Sequence, residues 1–206
     1  MIWRDAAAIL LSYGLGCCVT GYYLVRWKTG QDIRIIGSGS AGARNVGRIL
    51  GRWGFWTTLS ADILRGCAAS LGAYGLGVSG PVRVLCVLAA AGGHIFPIQL
   101  GFRGGKGIGV SLGALAVFDW RIAAGSMLLC AVLYLVSRRY MLSGMISVLA
   151  TPIAAVVLGL PTSSSVILAV WAGLILLAHR KNLFALYQGK THSEGDNPYG
   201  DGENHD

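Results

Sequence analysis

From Ala6 to Val25 the chain runs twenty residues without a charge, enough for one helix to cross a hydrocarbon core of about 30 Å. Comparable apolar stretches recur at Trp53 to Leu76, Val82 to Leu100, Met141 to Leu160 and Val166 to Ala178, with shorter ones at Ile108 to Phe118 and Ile122 to Val136. Only 13% of the residues are charged, against about 25% in a soluble domain. The apolar residues come in runs rather than alternating, which excludes an ordinary soluble fold. The segment before the first run has no net positive charge, so that run reads as a retained helix and not a signal peptide.

The two short runs decide the topology. Fused into one helix over 108–136, they would bury Asp119 and Arg121 near mid-span and leave the cations evenly divided between the two faces, eight and eight. As two spans turning at Asp119-Trp120-Arg121, they put thirteen of the seventeen Lys and Arg on one side. The excess of cations on the cytoplasmic side selects the second arrangement. The expected fold is an all-α seven-transmembrane-helix bundle with short fourth and fifth spans, N-terminus outside and C-terminus cytoplasmic. Residues 1–189 form a single membrane domain. Residues 190–206, which hold five of the nine acidic residues, form a polar tail expected to be disordered and cytoplasmic.

All three polar clusters fall on the cytoplasmic face in that topology. In 37–48, glycines alternate with Ser38 and Ser40 and are followed by Arg44, Asn45 and Arg48. Flexible backbone can turn consecutive N–H groups toward an anion, and arginine binds phosphate through its planar fork. The structural alternative is a basic loop resting on anionic headgroups. Gly37, Gly39 and Gly42 match a dinucleotide-binding pattern with Asp62 twenty residues on, but that pattern needs a preceding strand and a βαβ unit, and a membrane helix follows here. The second cluster joins Gly93-His94-Ile95-Phe96-Pro97 to Arg103-Gly104-Gly105-Lys106-Gly107, whose backbone donors and lysine suit an anion at a helix start. His94, alone near the end of its span, reads first as a satisfied packing residue. The third is His179-Arg180-Lys181-Asn182, either a basic flank or an imidazole and an amide beside a polyol. Asp62 and Arg65 are three apart on one helix face and can pair.

The five cysteines all lie inside apolar runs without C-x-x-C spacing; they read as packing residues, and no metal site is implied. One-sided cations with hydroxyl, amide and imidazole groups suggest a small phosphorylated substrate meeting something hydrophobic. A transporter of a phosphorylated solute remains open on these residues. No internal repeat is visible, and the polar groups lie at one surface and not at mid-bilayer.

Gly-Ser-Gly-x-x-Gly-Ala-x-Asn-x-x-Arg at 37–48, Gly-His-x-Phe-Pro at 93–97 with Gly-Gly-Lys-Gly at 104–107, and His-Arg-x-Asn at 179–182 resemble the three motifs of the bacterial PlsY-type acyltransferases. The resemblance implies transfer of an acyl group from acyl phosphate to glycerol 3-phosphate at the bacterial inner membrane, with the site facing the cytoplasm. It implies no cofactor, metal or nucleic acid, and leaves the oligomeric state open, a monomer included. It assigns Ser38, Arg48, Lys106, Gly104, Gly105 and Gly107 to phosphate and His179, Lys106 and Asn182 to catalysis. Asn45, Arg44, Arg103, His94 and Asp62 are further candidates. The pattern has asparagine where Ser40 stands, threonine at Arg44, lysine at Arg103 and a glutamate after Gly189, so a paralogue with another acceptor is a second implication. The His-x4-Asp signature of other acyltransferases is absent: the completing positions after His94, His179 and His192 hold Gln99, Phe184 and Asn197.

Overall fold

The computed structural model describes residues 2–188; the tail over 190–206 lies outside them. The described residues are helical, with no strand among them: α1 (Ile2–Cys17), α2 (Thr20–Thr29), α3 (Ala43–Gly75), α4 (Gly80–Ile95), α5 (Ile108–Phe118), α6 (Trp120–Ser137), α7 (Tyr140–Val157), α8 (Thr162–Ala178) and α9 (Arg180–Tyr187). Four stretches are long and apolar enough to cross a membrane: Ile2–Thr29, Gly80–Leu100, Trp120–Ser137 and Tyr140–Val157. α5 and α8 are apolar but shorter. α6 starts one residue after α5 ends, because Asp119 adopts an extended backbone and accepts the Arg121 N–H, capping α6. No single helix runs over 108–136.

Three boundaries differ from expectation. The first apolar run is broken at Cys18 and Val19. The Cys17 carbonyl at the break accepts the Val19 N–H at 2.8 Å and the Gln99 amide at 2.5 Å, and the Thr20 hydroxyl accepts a hydrogen bond from Arg65. Backbone left unpaired in hydrocarbon would cost several kcal/mol, so a carbonyl that keeps its partners makes the break tolerable. α4 stops at Ile95, five residues short of the expected end, because Pro97 follows and cannot donate to the ladder. The loop expected over 26–52 spans only 30–42, for α3 begins at Ala43; the interruption falls inside the helix at Gly51, whose φ of 75° kinks it.

Helices approach closely where they carry glycine. On α1 and α4, Gly16 lies against the Ala90 carbonyl and Gly93 against that of Tyr13; any Cβ there would collide with backbone. Gly66 and Gly113 do the same for α3 and α5, meeting Val110 and Ile63. Small residues at crossings are how helices gain dispersion contact where lipid offers no hydrophobic drive. The largest buried cluster joins α4, α5, α7 and α8 through Val87, Leu115, Met145, Trp171 and Ile175. Trp171 donates its indole N–H to Ser111 at 2.9 Å. Leu64, Leu71, Leu128, Leu135 and Val157 point outward, the apolar exterior a bilayer-embedded bundle presents.

Candidate active site

Asn45 folds the first polar cluster. It is 1% exposed, and its amide donates to the carbonyls of Ile36 at 2.9 Å, Ser40 at 3.0 Å and Ile33 at 3.3 Å. Its oxygen accepts the Ser38 N–H at 3.0 Å. One side chain thus winds residues 33–40 onto the start of α3. The winding needs Gly37 and Gly39 in the left-handed region, and a Cβ on Gly37 would strike the Asn45 oxygen. Arg44 follows on the first turn of α3, facing inward; Arg48, one turn on, is exposed.

The second cluster is tied to the first and to α4. The Ala41 N–H donates to the Gly104 carbonyl at 3.3 Å, and Arg34 donates to the Leu100 carbonyl at 2.6 Å. The N–H groups of Gly104 and Gly105, expected to face a phosphate, instead donate to the carbonyls of Ile95 and His94 at 3.1 and 2.9 Å. They satisfy the carbonyls that α4 leaves open when it stops early. Their glycines are steric requirements: a Cβ would meet the His94 carbonyl at position 104 and the His94 ring at 105. Anion donors in this turn are therefore Lys106 and the N-terminus of α5, which Gly107 opens with a φ of 79°. Arg103 is exposed.

His94 does not satisfy its ring. It is 2% exposed, Nε2 lies 3.9 Å from Asp62 Oδ2, and Nδ1 is buried with no hydrogen-bond partner. Asp62 pairs instead with Arg65. His179 follows the last residue of α8, and its Nδ1 lies 2.8 Å from the Ile175 carbonyl. A carbonyl only accepts, so Nδ1 carries the proton and Nε2 of the neutral ring keeps a lone pair. Burial pushes the His179 imidazole below its ordinary 6.5, with Lys106 adding to the effect and the Ile175 carbonyl opposing it.

These groups surround a cavity of about 380 Å3. Its wall carries polar side chains, Ser38, Ser40, Lys106, His179 and Asn182, with Asp62 and His94. Apolar side chains line it too: Phe55, Leu59, Ile108, Met141 and Met145. Arg44 and Tyr140 line it as well. Asn45 and Gly107 contribute to the wall; Arg48, Arg103, Gly104 and Gly105 do not. The charge of Arg48 nonetheless reaches Lys106, whose ammonium is pushed down to about 8 by burial first and then by Arg44 and Arg48. The apolar lining was not legible beforehand: Phe55 and Met145 look in sequence like any lipid-facing residue.

A helical bundle with stretches long and apolar enough to cross a membrane, enclosing a cavity lined by both cationic and apolar side chains, defines a membrane-spanning helical protein with an amphipathic site. The comparisons narrow this: a family model described as glycerol-3-phosphate acyltransferase matches residues 6–189, and the chain belongs to that family. It is 41% identical over 179 residues to glycerol-3-phosphate acyltransferase 1 of Desulfitobacterium hafniense, covering 87% of this chain and 89% of that one. It is 34% identical over 198 residues to the enzyme of Rubrobacter xylanophilus, covering 96% and 99%. The crystal structure of PlsY, an integral membrane glycerol 3-phosphate acyltransferase, in its glycerol 3-phosphate form superposes with a TM-score of 0.83 at 29% identity, covering 91% of this chain and 94% of that one. Its lysophosphatidic acid form gives 0.81 at 28% with the same coverage.

Proposed function

We propose that this protein transfers an acyl group from acyl phosphate to a hydroxyl of glycerol 3-phosphate, releasing phosphate and lysophosphatidate. The observation that carries the reading is a single cavity lined both by Ser38, Lys106 and His179, which suit phosphate, and by Phe55, Leu59 and Met145, which suit a hydrocarbon chain. Family membership supports the acceptor. Acyl phosphate is a mixed anhydride and already activated, so the protein's task is to orient two anions and neutralise charge on the leaving phosphate.

Each residue takes a part in that task. Ser38, Lys106 and the Gly107 turn opening α5 hold phosphate, and Arg48, outside the wall, adds only its charge. Asn182 orients the glycerol hydroxyl. The hydroxyl oxygen attacks the acyl carbonyl carbon, the bond from that carbon to the phosphate oxygen breaks, and His179 Nε2 takes the hydroxyl proton. The depressed imidazole keeps that lone pair available at neutral pH. Asp62 and His94 complete the polar wall of the same cavity.

The membrane arrangement proposed is seven spans, α1 with α2 counting as the first, N-terminus outside and the cavity opening to the cytoplasm of the inner membrane. Exposed Trp27, Trp53 and Trp56 beside the cationic end, with Trp3 and Trp120 exposed at the far end, suit two interfacial belts. A cysteine at 182 should label with an impermeant thiol reagent only after the cells are opened; labelling in intact cells would overturn the orientation.

Purified protein should release phosphate from acyl phosphate faster when glycerol 3-phosphate is added, and Lys106→Ala should abolish that increment. Acceptor-independent release, in protein that elutes as a single folded species, would refute the function. A Lys106→Ala variant near the normal rate would refute the assigned site.

A further inference from the structure

Four buried side-chain atoms among the described residues have no hydrogen-bond partner: Thr58 Oγ1, Arg65 Nε, Ser165 Oγ and His94 Nδ1. Of these four residues, only His94 lines the cavity. Burying a polar atom without a partner costs free energy that an arriving ligand can restore. The other ring nitrogen is accounted for. Asp62 Oδ2 lies 3.9 Å from Nε2, and the Gly105 backbone comes so close to Nε2 that a Cβ there would collide with it. Asp62 is itself held by Arg65.

A neutral imidazole has one N–H and one lone pair. The carboxylate beside Nε2 draws the N–H to that side, and the lone pair falls to Nδ1. Nδ1 therefore accepts a hydrogen bond and cannot donate one. An acyl chain has no proton to offer it, and a phosphate monoester gives up its second proton near pH 6. A hydroxyl does have one. On the acyl-phosphate reading above, on which this inference rests, glycerol 3-phosphate brings two hydroxyls. The terminal one attacks the acyl carbon, oriented by Asn182 and deprotonated by His179; the middle one is left without an assigned partner. We propose that His94 is a specificity residue whose Nδ1 accepts a hydrogen bond from that middle hydroxyl. The site then selects a diol phosphate, because a phosphate lacking the hydroxyl leaves the buried nitrogen open.

The test pairs glycerol 3-phosphate with 3-hydroxypropyl phosphate, which keeps the phosphate and the terminal hydroxyl and lacks only the middle one. Values of kcat/KM for both, and their binding by titration calorimetry, are measured in the purified parent, His94→Phe, His94→Asn and His94→Gln. The parent should prefer glycerol 3-phosphate roughly tenfold or more, the worth of one hydrogen bond to an otherwise open buried group. His94→Phe keeps a ring of similar bulk without a nitrogen. It should cut the preference to within about twofold by slowing glycerol 3-phosphate alone, since the analogue never made the bond. His94→Asn, whose amide ends near the position of Nδ1, should restore part of the preference; His94→Gln, whose amide ends near that of Nε2, should not. An undiminished preference in folded His94→Phe, equal losses on the two substrates, or restoration by Gln and not by Asn would overturn the proposal. If His94→Phe does not fold, the same ratio in the Asn and Gln variants decides. If the parent transfers no acyl group, binding decides independently. A binding preference for glycerol 3-phosphate that His94→Phe abolishes upholds the contact while the transferase reading falls, and equal binding of the two phosphates by the parent overturns it.

Discussion

On the proposed reading, Lys106 sets an alkaline limb whose position follows from the packing around it. Its ammonium is largely buried, with Arg44 and Arg48 nearby, and is pushed down to about 8 from an ordinary 10.5. Between those values the unfolded chain holds the proton more readily than the folded one. The cost of the charge is therefore present in full below pH 8, and folding stability rises as pH climbs from about 8 to 10.5. Catalysis runs the opposite way, because an anion site needs the ammonium charged. About nine-tenths of Lys106 is charged at pH 7 and about one-tenth at pH 9, so kcat/KM for glycerol 3-phosphate should fall roughly tenfold per pH unit above 8. Phosphate monoesters lose their second proton near pH 6, so the acceptor keeps one charge state through the window. The assay is acceptor-dependent phosphate release from pH 6.5 to 10, with acceptor-free hydrolysis subtracted at each point. Arg48→Gln should move the limb to higher pH by removing one repulsive neighbour, although burial, the larger cause, remains. Residual activity in Lys106→Arg should show no limb, since guanidinium stays charged throughout. A flat parent profile to pH 10, or the same limb in Lys106→Arg, would refute the assignment.

Two further outcomes test the walls of the cavity. Asn45→Asp replaces an amide that donates to three carbonyls with a carboxylate that donates none at neutral pH. At roughly 1–3 kcal/mol per orphaned buried group, the thermal midpoint should drop together with activity; an unchanged midpoint would show that the loop is held otherwise. Gly144 lines the cavity with open space where a Cβ would be, so Gly144→Leu should shorten the longest acyl chain accepted. Each excluded methylene forfeits about 0.8 kcal/mol of burial, close to fourfold in kcat/KM. Gly125→Leu, equally open but away from the cavity, is the control, and matching chain-length profiles in the two variants would contradict the placement.

What the sequence disclosed and what it hid have a common physical basis. Apolar runs fixed most helices because hydrocarbon length is a local property, and the turn at Asp119 was legible from the one-sided cations that two spans imply. The break at Cys18 was not, since one partner of the Cys17 carbonyl there is the Gln99 amide, far along the chain. Ser38, Lys106, His179 and Asn182 were all singled out, and they do line one cavity. Gly104 and Gly105 were read as donors to a ligand because glycine-rich turns so often are. Their N–H groups were needed to finish α4, a demand visible only once Pro97 is seen to stop that helix early. Tyr140 carried no sequence signal, for its partner Arg44, stacked on its ring, lies nearly a hundred residues away in the chain.

The cavity takes Ser38 from ahead of α3 and His179 with Asn182 from beyond α8. With the cavity open to the cytoplasm as proposed, a nascent chain displays its serine and arginines there long before it owns His179. On the proposed chemistry, a half-inserted polypeptide can hold an energy-rich anhydride without the group that would spend it, and activity switches on only when biosynthesis of the bundle is finished.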